Sequence, residues 1–449
     1  MSAEWHRWSL VELAGRLRAR EVGAVEVVEA VLARIEQVEP QVRAFVTVTA
    51  ESAREQARSA QATLDRDREE APVLTGVPVA VKDLFDVQGM VTAAGSRALA
   101  DNVARRDSVA WRRLRDAGAV LVGKANTHEF AYGGTTEPTR NPWNLDRMVG
   151  GSSGGSAAAL ASGTCFGALG TDTAGSVRIP AGLCGVVGLK PTKGEISTRG
   201  VFPLSQTLDC VGPLARTPED ARLLHAVLRS GSDRLPLPGP PGSVRGLRVG
   251  VVLPQDVVEG PVRQAQSDAS RALEDAGAVV EIVEGGPSLA DAARVNFTIM
   301  AAEAGQVHRS LLAERGDDYS PYVRQRLEDA LRTTACDYLD ALESRRAVVR
   351  EWNRLLGSFQ VVLLNGIPCT APRAYVEQVV LGGVAQDRDW VLCRDTAFAN
   401  VTGNPALAVP AGLADGLPVG VQLVGPRHGE ALLFAAGQAV FDRLGAPIP

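Results

Sequence analysis

Between Gly150 and Gly200 the chain turns into a run of Gly, Ser, Ala and Thr with few charges, the most unusual segment of its 449 residues. Side chains this small have two structural uses. They let backbone pack directly on backbone, or they let a loop approach a ligand closely. Either use needs ordered structure on both sides, and a chain of this length can bury a large core.

The flanking segments read as alternating helices and strands. Ser9–Glu12 fits a capping box, with Leu10, Leu13, Ala14 and Leu17 following at helical spacing until Gly23. A second helix runs from about Val25 to Ile35 and is expected to end at Pro40. Residues 41–49 look like a strand and 50–64 like a surface helix. Val77–Val81 and Ala119–Val122 read as short buried strands, with a helix from Ser108 to Gly118 between them. Thr217–Asp220 is a good helix start, Leu235–Gly242 a linker, and Leu247–Leu253 and Ala278–Val283 are strands flanking another helix. Residues 290–357 read as helical, and Val361–Leu364 and Ala406–Val409 return to buried strand. Strands separated by helices predict an α/β fold with a largely parallel or mixed sheet.

Composition narrows the function classes. A hydrophobic share of 45% and a charged share of 22% are ordinary globular values. The net charge of -5, with basic residues interleaved among acids as in Arg54, Glu55 and Arg58, offers no basic patch for nucleic acid or an acidic membrane face. Met1–Leu10 lacks the apolar run of a signal peptide, and no stretch reaches the roughly 18 to 20 apolar residues of a membrane span. Cys165, Cys184, Cys210, Cys336, Cys369 and Cys393 show no metal-binding or C-x-x-C spacing and read as reduced thiols. A cytoplasmic protein is expected.

Several motifs compete for the chemistry. Gly118–Ala125 nearly spells a phosphate-binding loop, but Ala125 stands where Ser or Thr would hold magnesium, and strand formers fill the loop; Lys124 reads as a strand-end lysine. Gly151–Gly155 fits G-x-S-x-G, which would make Ser153 a nucleophile with Asp415 and His428 as partners, yet residues 147–149 make a poor preceding strand. His6, His128, His225, His308 and His428 lie apart from any carboxylate cluster in the sequence, so no metal ligand set is expected. His128, beside Glu129, Phe130 and Tyr132, reads as a loop histidine near a pocket.

A longer constellation carries more. Gly150–Ser156 is followed by Gly170–Pro180 and Cys184–Thr192, with Val81–Asp83 upstream and Gly123–Phe130 and Leu208–Pro213 flanking. This pattern resembles the amidase signature family over roughly residues 9–225 and again near 400–440. Val149 stands where proline is common and Ala174 where glycine is; both positions shape backbone. The resemblance implies Ser176 as nucleophile, Ser152 as bridging serine after a cis peptide bond, and Lys82 as base. Thr173, Ala174, Gly175 and Ser176 would turn backbone N–H groups toward the carbonyl oxygen. A lysine serves as base only when neutral, and burial among Val79, Val81 and small residues would lower its pKa. Asp172 and Arg178 are expected to brace the loop, with Ser153 also supporting it, and Phe130, Tyr132 and Gly151 to line the substrate pocket, leaving room for an apolar or aromatic acyl group.

The resemblance further implies a single α/β/α domain over 1–449 with a central mixed sheet flanked by helices. Within it, 1–70 are N-terminal helices, 75–225 the signature core, 226–395 a variable substrate-side region, and 396–449 C-terminal strands and a helix. The expected activity is hydrolysis of a carboxamide C–N bond through an acyl-enzyme on Ser176, without metal or cofactor. The expected partners are a small-molecule amide and at most a second copy of the chain, with no nucleic acid and no membrane. Two alternatives stand beside it: the glutaminase-type subunit of an amidotransferase complex, and an acyl-transferring member. The first is disfavoured by a short chain and by residues 195–200, which look more like those of general amidases.

Overall fold

The computed structural model describes residues 5–67, 69–230, 242–445 and 449. Its strands are β1 (Phe45–Val48), β2 (Pro78–Lys82), β3 (Val120–Ala125), β4 (Gly167–Asp172), β5 (Val187–Lys190), β6 (Cys210–Ala215) and β7 (Arg248–Val251). They continue with β8 (Val279–Ile282), β9 (Val361–Asn365), β10 (Gln378–Leu381), β11 (Val384–Asp387), β12 (Ala406–Ala414) and β13 (Leu417–Val424). Eleven form one sheet, ordered β1-β3-β2-β4-β6-β5-β12-β13-β9-β7-β8, while β10 and β11 pair as a separate hairpin. β2 runs parallel to β3 and β4, and β7 parallel to β8 and β9; the remaining neighbours are antiparallel. Helices such as Gly154–Ala161, Pro218–Ser230, Gly260–Asp275 and Glu430–Leu444 pack on this sheet. The fold is the expected α/β architecture with a central mixed sheet.

Every residue of β2, β3 and β4 is buried. That burial explains why no polar face alternates along them, and the polar residues they hold, Lys82, Lys124, Thr171 and Asp172, are each paired inside the fold. β2 and β4 lie side by side in parallel, so their C-terminal ends, Lys82 and Thr171–Asp172, open on the same edge of the sheet. This is where open parallel sheets collect ligands.

Several local expectations are corrected. Ser9 does accept the Glu12 N–H at 2.9 Å, but the Glu12 carboxylate turns to Arg16, so only half the capping box forms. The first helix, Leu10–Ala19, ends at the left-handed Arg20, and Gly23 instead starts the next one. Pro40 does not stop that second helix, which continues to Val42. In the final turn the missing N–H removes one hydrogen bond, and the Glu39 carboxylate accepts from the next two free donors, Ala44 and Phe45, at 3.0 and 2.8 Å. The strand expected from residue 41 therefore begins at Phe45. The linker expected at Leu235–Gly242 lies, up to residue 241, outside the described residues.

The long helical stretch resolves into Leu289–Arg315, Pro321–Ala330 and Ala335–Ser358. It is anchored by Trp352, fully buried and stacked on Phe398 with ring centroids 4.2 Å apart. Trp352→Ala is expected to cost about 3–5 kcal/mol through lost burial and a cavity. An unchanged urea midpoint would contradict that anchoring.

Candidate active site

The small residues of the glycine-rich segment let main chain touch main chain. A Cβ on Gly155 would lie 2.5 Å from the backbone N and O of Asn126, and one on Gly151 would lie 2.3 Å from the carbonyl oxygen of Thr135. Both approaches are closer than any side chain allows. The Gly151–Ser152 peptide is cis, and the Ser153 N–H donates to the Ser176 carbonyl at 3.1 Å, tying the two serine-bearing loops together.

Lys82, the last residue of β2, is fully buried. Its Nζ lies 2.8 Å from Ser152 Oγ, 2.9 Å from Ser153 Oγ and 2.8 Å from Thr171 Oγ1. Burial drives its pKa well below the ordinary lysine value, against the opposing pull of the Asp172 and Asp209 carboxylates. The hydroxyls accommodate the neutral form. Ser153 donates its own hydrogen to the Thr171 carbonyl at 3.1 Å, so toward Lys82 it accepts. A neutral amine donates two hydrogens and takes a third through its lone pair. Ser152, whose hydroxyl has no other partner among the described residues, can supply that third hydrogen.

Asp172, at the end of β4, organises the adjoining loop. Its carboxylate accepts the N–H of Gly175 at 3.0 Å and of Val177 at 3.1 Å, and it pairs two-pronged with Arg178 at 2.8 and 3.0 Å. Arg178, fully buried, also donates to the Thr396 carbonyl, Asn400 Oδ1 and Gln422 Oε1. The guanidinium holds the Asp172 carboxyl at about 2, overriding the upward push of burial. Asp172 and Arg178 thus face each other and brace the loop.

The expected set of oxyanion donors needs one correction. The Gly175 N–H is occupied by Asp172, whereas those of Thr173, Ala174 and Ser176 make no hydrogen bond among the described residues. Gly175 serves another purpose: its φ of +128° suits glycine alone, and a Cβ there would meet Thr396 Oγ1 at 2.1 Å. Thr396 donates to the Ala174 carbonyl at 2.6 Å, and Asn296 to that of Thr173 at 3.0 Å. Both carbonyls are thereby engaged on their own side of the loop, which leaves the free N–H groups uncovered.

Beside Lys82 lies a cavity of about 390 Å³, lined in part by Ala131, Thr171, Thr173, Phe202, Leu204 and Asp209. Phe130 and Tyr132, expected as pocket walls, are not among its lining residues. Phe130 sits in an aromatic cluster with Phe202, Tyr319 and His308, at centroid distances of 5.1, 4.9 and 4.5 Å, and Tyr132 packs under the Arg326 guanidinium. Both Phe130 and Ala131 adopt left-handed backbone, which turns only Ala131 onto the cavity. Phe202 is the aromatic wall; among the residues brought to the loop, Asn296, Thr396 and Asn400 likewise carry no signal in the sequence.

The rival assemblies do not form. Ser153 is wholly buried, and His428 Nδ1 faces Glu195 at 3.1 Å rather than Ser153. Lys124 is held by Asp83 at 2.9 Å and by the Phe85 carbonyl at 2.8 Å, and cradles no phosphate loop. His128 is half-buried, its pKa lowered to about 4 by burial, and lines a separate cavity with Tyr322 and Arg388.

Known proteins match this chain over nearly its whole length. The amidase family pattern matches residues 26–434. This chain belongs to the amidase signature family. A glutamyl-tRNA(Gln) amidotransferase subunit from Roseiflexus sp. (strain RS-1) is 37% identical over 474 residues, covering 97% of this chain and 96% of that protein. A solved amidase shares 35% identity and a TM-score of 0.90 over 98% of this chain and all of its own. The corresponding amidotransferase subunit from Thermotoga maritima gives 31% and 0.80, over 99% and 96%.

These relatives correct the partner expectation, which holds a small amide and at most a second copy of the chain and excludes nucleic acid. Full-length relatives are named as subunits of a larger enzyme with tRNA in its name.

The depressed Lys82 pKa sets a pH dependence. Between the folded value and the ordinary 10.5 the unfolded chain holds more protons, so stability rises with pH across that window. The parent is therefore expected to gain stability relative to Lys82→Met as pH rises, in thermal melts across about pH 6 to 10. A constant difference would place lysine of ordinary pKa at this site.

Proposed function

We propose that this chain breaks a carboxamide C–N bond through an acyl-enzyme on Ser176, and does so as the glutaminase-type subunit of an amidotransferase. The full-length likeness to glutamyl-tRNA(Gln) amidotransferase subunits, at 37% identity for the Roseiflexus relative, carries this reading. A short chain and the residues at 195–200 favour a stand-alone amidase in the sequence, but coverage of 96% of that relative removes the length objection. We take residues 1–449 as one unit acting in the cytoplasm. One sheet drawing strands from Phe45 to Val424 supports the first point, and cysteines present as free thiols support the second.

The Lys82–Ser152 contact at 2.8 Å supports the following chemistry, and the step from Ser176 to Ser152 rests on the family resemblance. Lys82, as the neutral amine, takes the hydrogen of Ser152, which takes that of Ser176 as Ser176 Oγ attacks the amide carbon. The oxygen gains negative charge opposite the N–H groups of Thr173, Ala174 and Ser176, each such donor contributing roughly 2.7–4 kcal/mol to the transition state. The hydrogen returns through Ser152 to the leaving nitrogen, the C–N bond breaks, and ammonia departs. Water then repeats the sequence on the ester and frees the acid.

A second reading is a stand-alone amidohydrolase. It is favoured by the higher TM-score with the solved amidase, 0.90 against 0.80 for the Thermotoga protein. Both readings share the Ser176 acyl-enzyme.

Two measurements decide. Fluorophosphonate labelling followed by peptide mapping is expected to place one adduct on Ser176, and Ser176→Ala and Lys82→Ala are expected to lose at least ~10³-fold in kcat; an adduct elsewhere refutes the nucleophile. Glutamine hydrolysis by the purified chain is expected to rise when it is co-purified with its native partners. Full turnover of simple amides by the lone chain would favour the stand-alone reading instead.

A further inference from the structure

Away from the cavity beside Lys82, three ionisable side chains from distant parts of the chain meet. Glu195 follows β5, His225 lies in the helix Pro218–Ser230, and Glu430 opens the helix Glu430–Leu444. One donor atom from each lies within 4.8 Å of the other two. All three side chains are buried; that of His225 is 8% exposed and that of Glu195 5%.

The imidazole is the informative member. His225 Nε2 has no hydrogen-bond partner, yet it faces Glu195 Oε1 at 3.7 Å. Its ring nitrogen is thus aimed into the cluster with nothing to bond there. The two carboxylates are themselves within hydrogen-bonding reach of each other. Two acids at that separation either share one proton or hold a cation between them. Arg229 Nη1 reaches Glu195 Oε1 at 3.3 Å, but its side chain is 61% exposed and solvent screens it. The Thr192 N–H donates to Glu430 at 2.7 Å and fixes that carboxylate in place. At the open side His428, 68% exposed, holds Nδ1 at 3.1 Å from Glu195 Oε2.

We infer that Glu195, His225 and Glu430 form a site for a divalent transition-metal ion of the zinc type, with solvent taking the remaining position. Imidazole with carboxylate suits zinc, manganese or iron over calcium, which takes oxygen alone. A dication balances the two carboxylates and gives the bare ring nitrogen its partner. Tetrahedral ligation at about 2.1 Å brings donors to roughly 3.4 Å apart, a closure that falls to Glu195, since Glu430 is held by the Thr192 N–H. Among the described residues none of the three hydrogen-bonds to Lys82, Ser152 or Ser176, and the ion acts as a staple between three elements, apart from amide cleavage. The sequence hides it: the histidines look remote from carboxylates because 30 residues separate Glu195 from His225 and 205 separate His225 from Glu430.

The test uses the full-length chain stripped with chelator and reloaded with Zn²⁺ or Co²⁺. One ion per chain is expected after gel filtration, with a visible Co²⁺ ligand-field band and a thermal midpoint raised by at least about 2 °C on Zn²⁺ loading. His225→Gln and Glu195→Gln should each weaken Zn²⁺ binding at least ~100-fold, while Ser176 still takes the fluorophosphonate label as a check of folding. Failure of the parent to retain a stoichiometric ion overturns the site whatever the variants do. Undiminished binding in the folded Glu195→Gln or His225→Gln chain overturns the ligand assignment and with it the proposal.

Discussion

An amine with no water around it is the constraint on which this structure turns. Lys82 carries a nitrogen that in solution would be a cation, and the sheet removes that option by burying it at the end of β2. The surrounding hydroxyls of Ser152, Ser153 and Thr171 then satisfy the neutral form without restoring the charge. Such an arrangement is costly to stability and tolerable only in a large, well-packed body. The fully buried strands on both sides of β2 provide that body.

Around this centre the polar groups are arranged in tiers. Asp172 belongs to the same strand end as Thr171 and could restore the ammonium by its charge, but Arg178 claims its carboxylate two-pronged. A buried ion pair of this kind gives little net stability, because desolvation of both charges offsets their attraction. What it secures is direction. With both oxygens committed, the loop from Thr173 to Val177 has one conformation, and three backbone donors are left over for whatever approaches. Thr396, Asn296 and Asn400 fix the carbonyls of the same loop and its preceding strand from elements far along the chain.

Much of this is legible in the residues. Val79 and Val81 announce a buried strand, and the small residues from Gly150 onward announce backbone contact, which Gly155 and Gly151 bear out against Asn126 and Thr135. β4, β5, β6 and β13 are not legible, because glycines and two-sided burial erase the alternation that marks a strand. Pro40 misleads because the rule against proline assumes a helix interior, and here it sits in a last turn whose loose donors Glu39 collects. The motif casts Gly175 as an N–H donor to substrate, whereas the carboxylate of Asp172, three positions earlier, holds that N–H. Position in the motif likewise puts Phe130 on the pocket wall. Nothing in sequence reveals that its left-handed backbone turns it inward and leaves the wall to Ala131 and Phe202. Nor can it reveal partners such as Asn296 and Thr396, whose contact with the loop exists only after folding.

The Arg178 guanidinium reaches Thr396, Asn400 and Gln422, more than two hundred positions downstream. During synthesis it emerges from the ribosome long before any of those acceptors exists. A nascent chain therefore carries an incompletely paired cation in its most sensitive loop until the last strands are made, and cannot settle that loop early. That loop therefore takes its final form only once the C-terminal strands are in place.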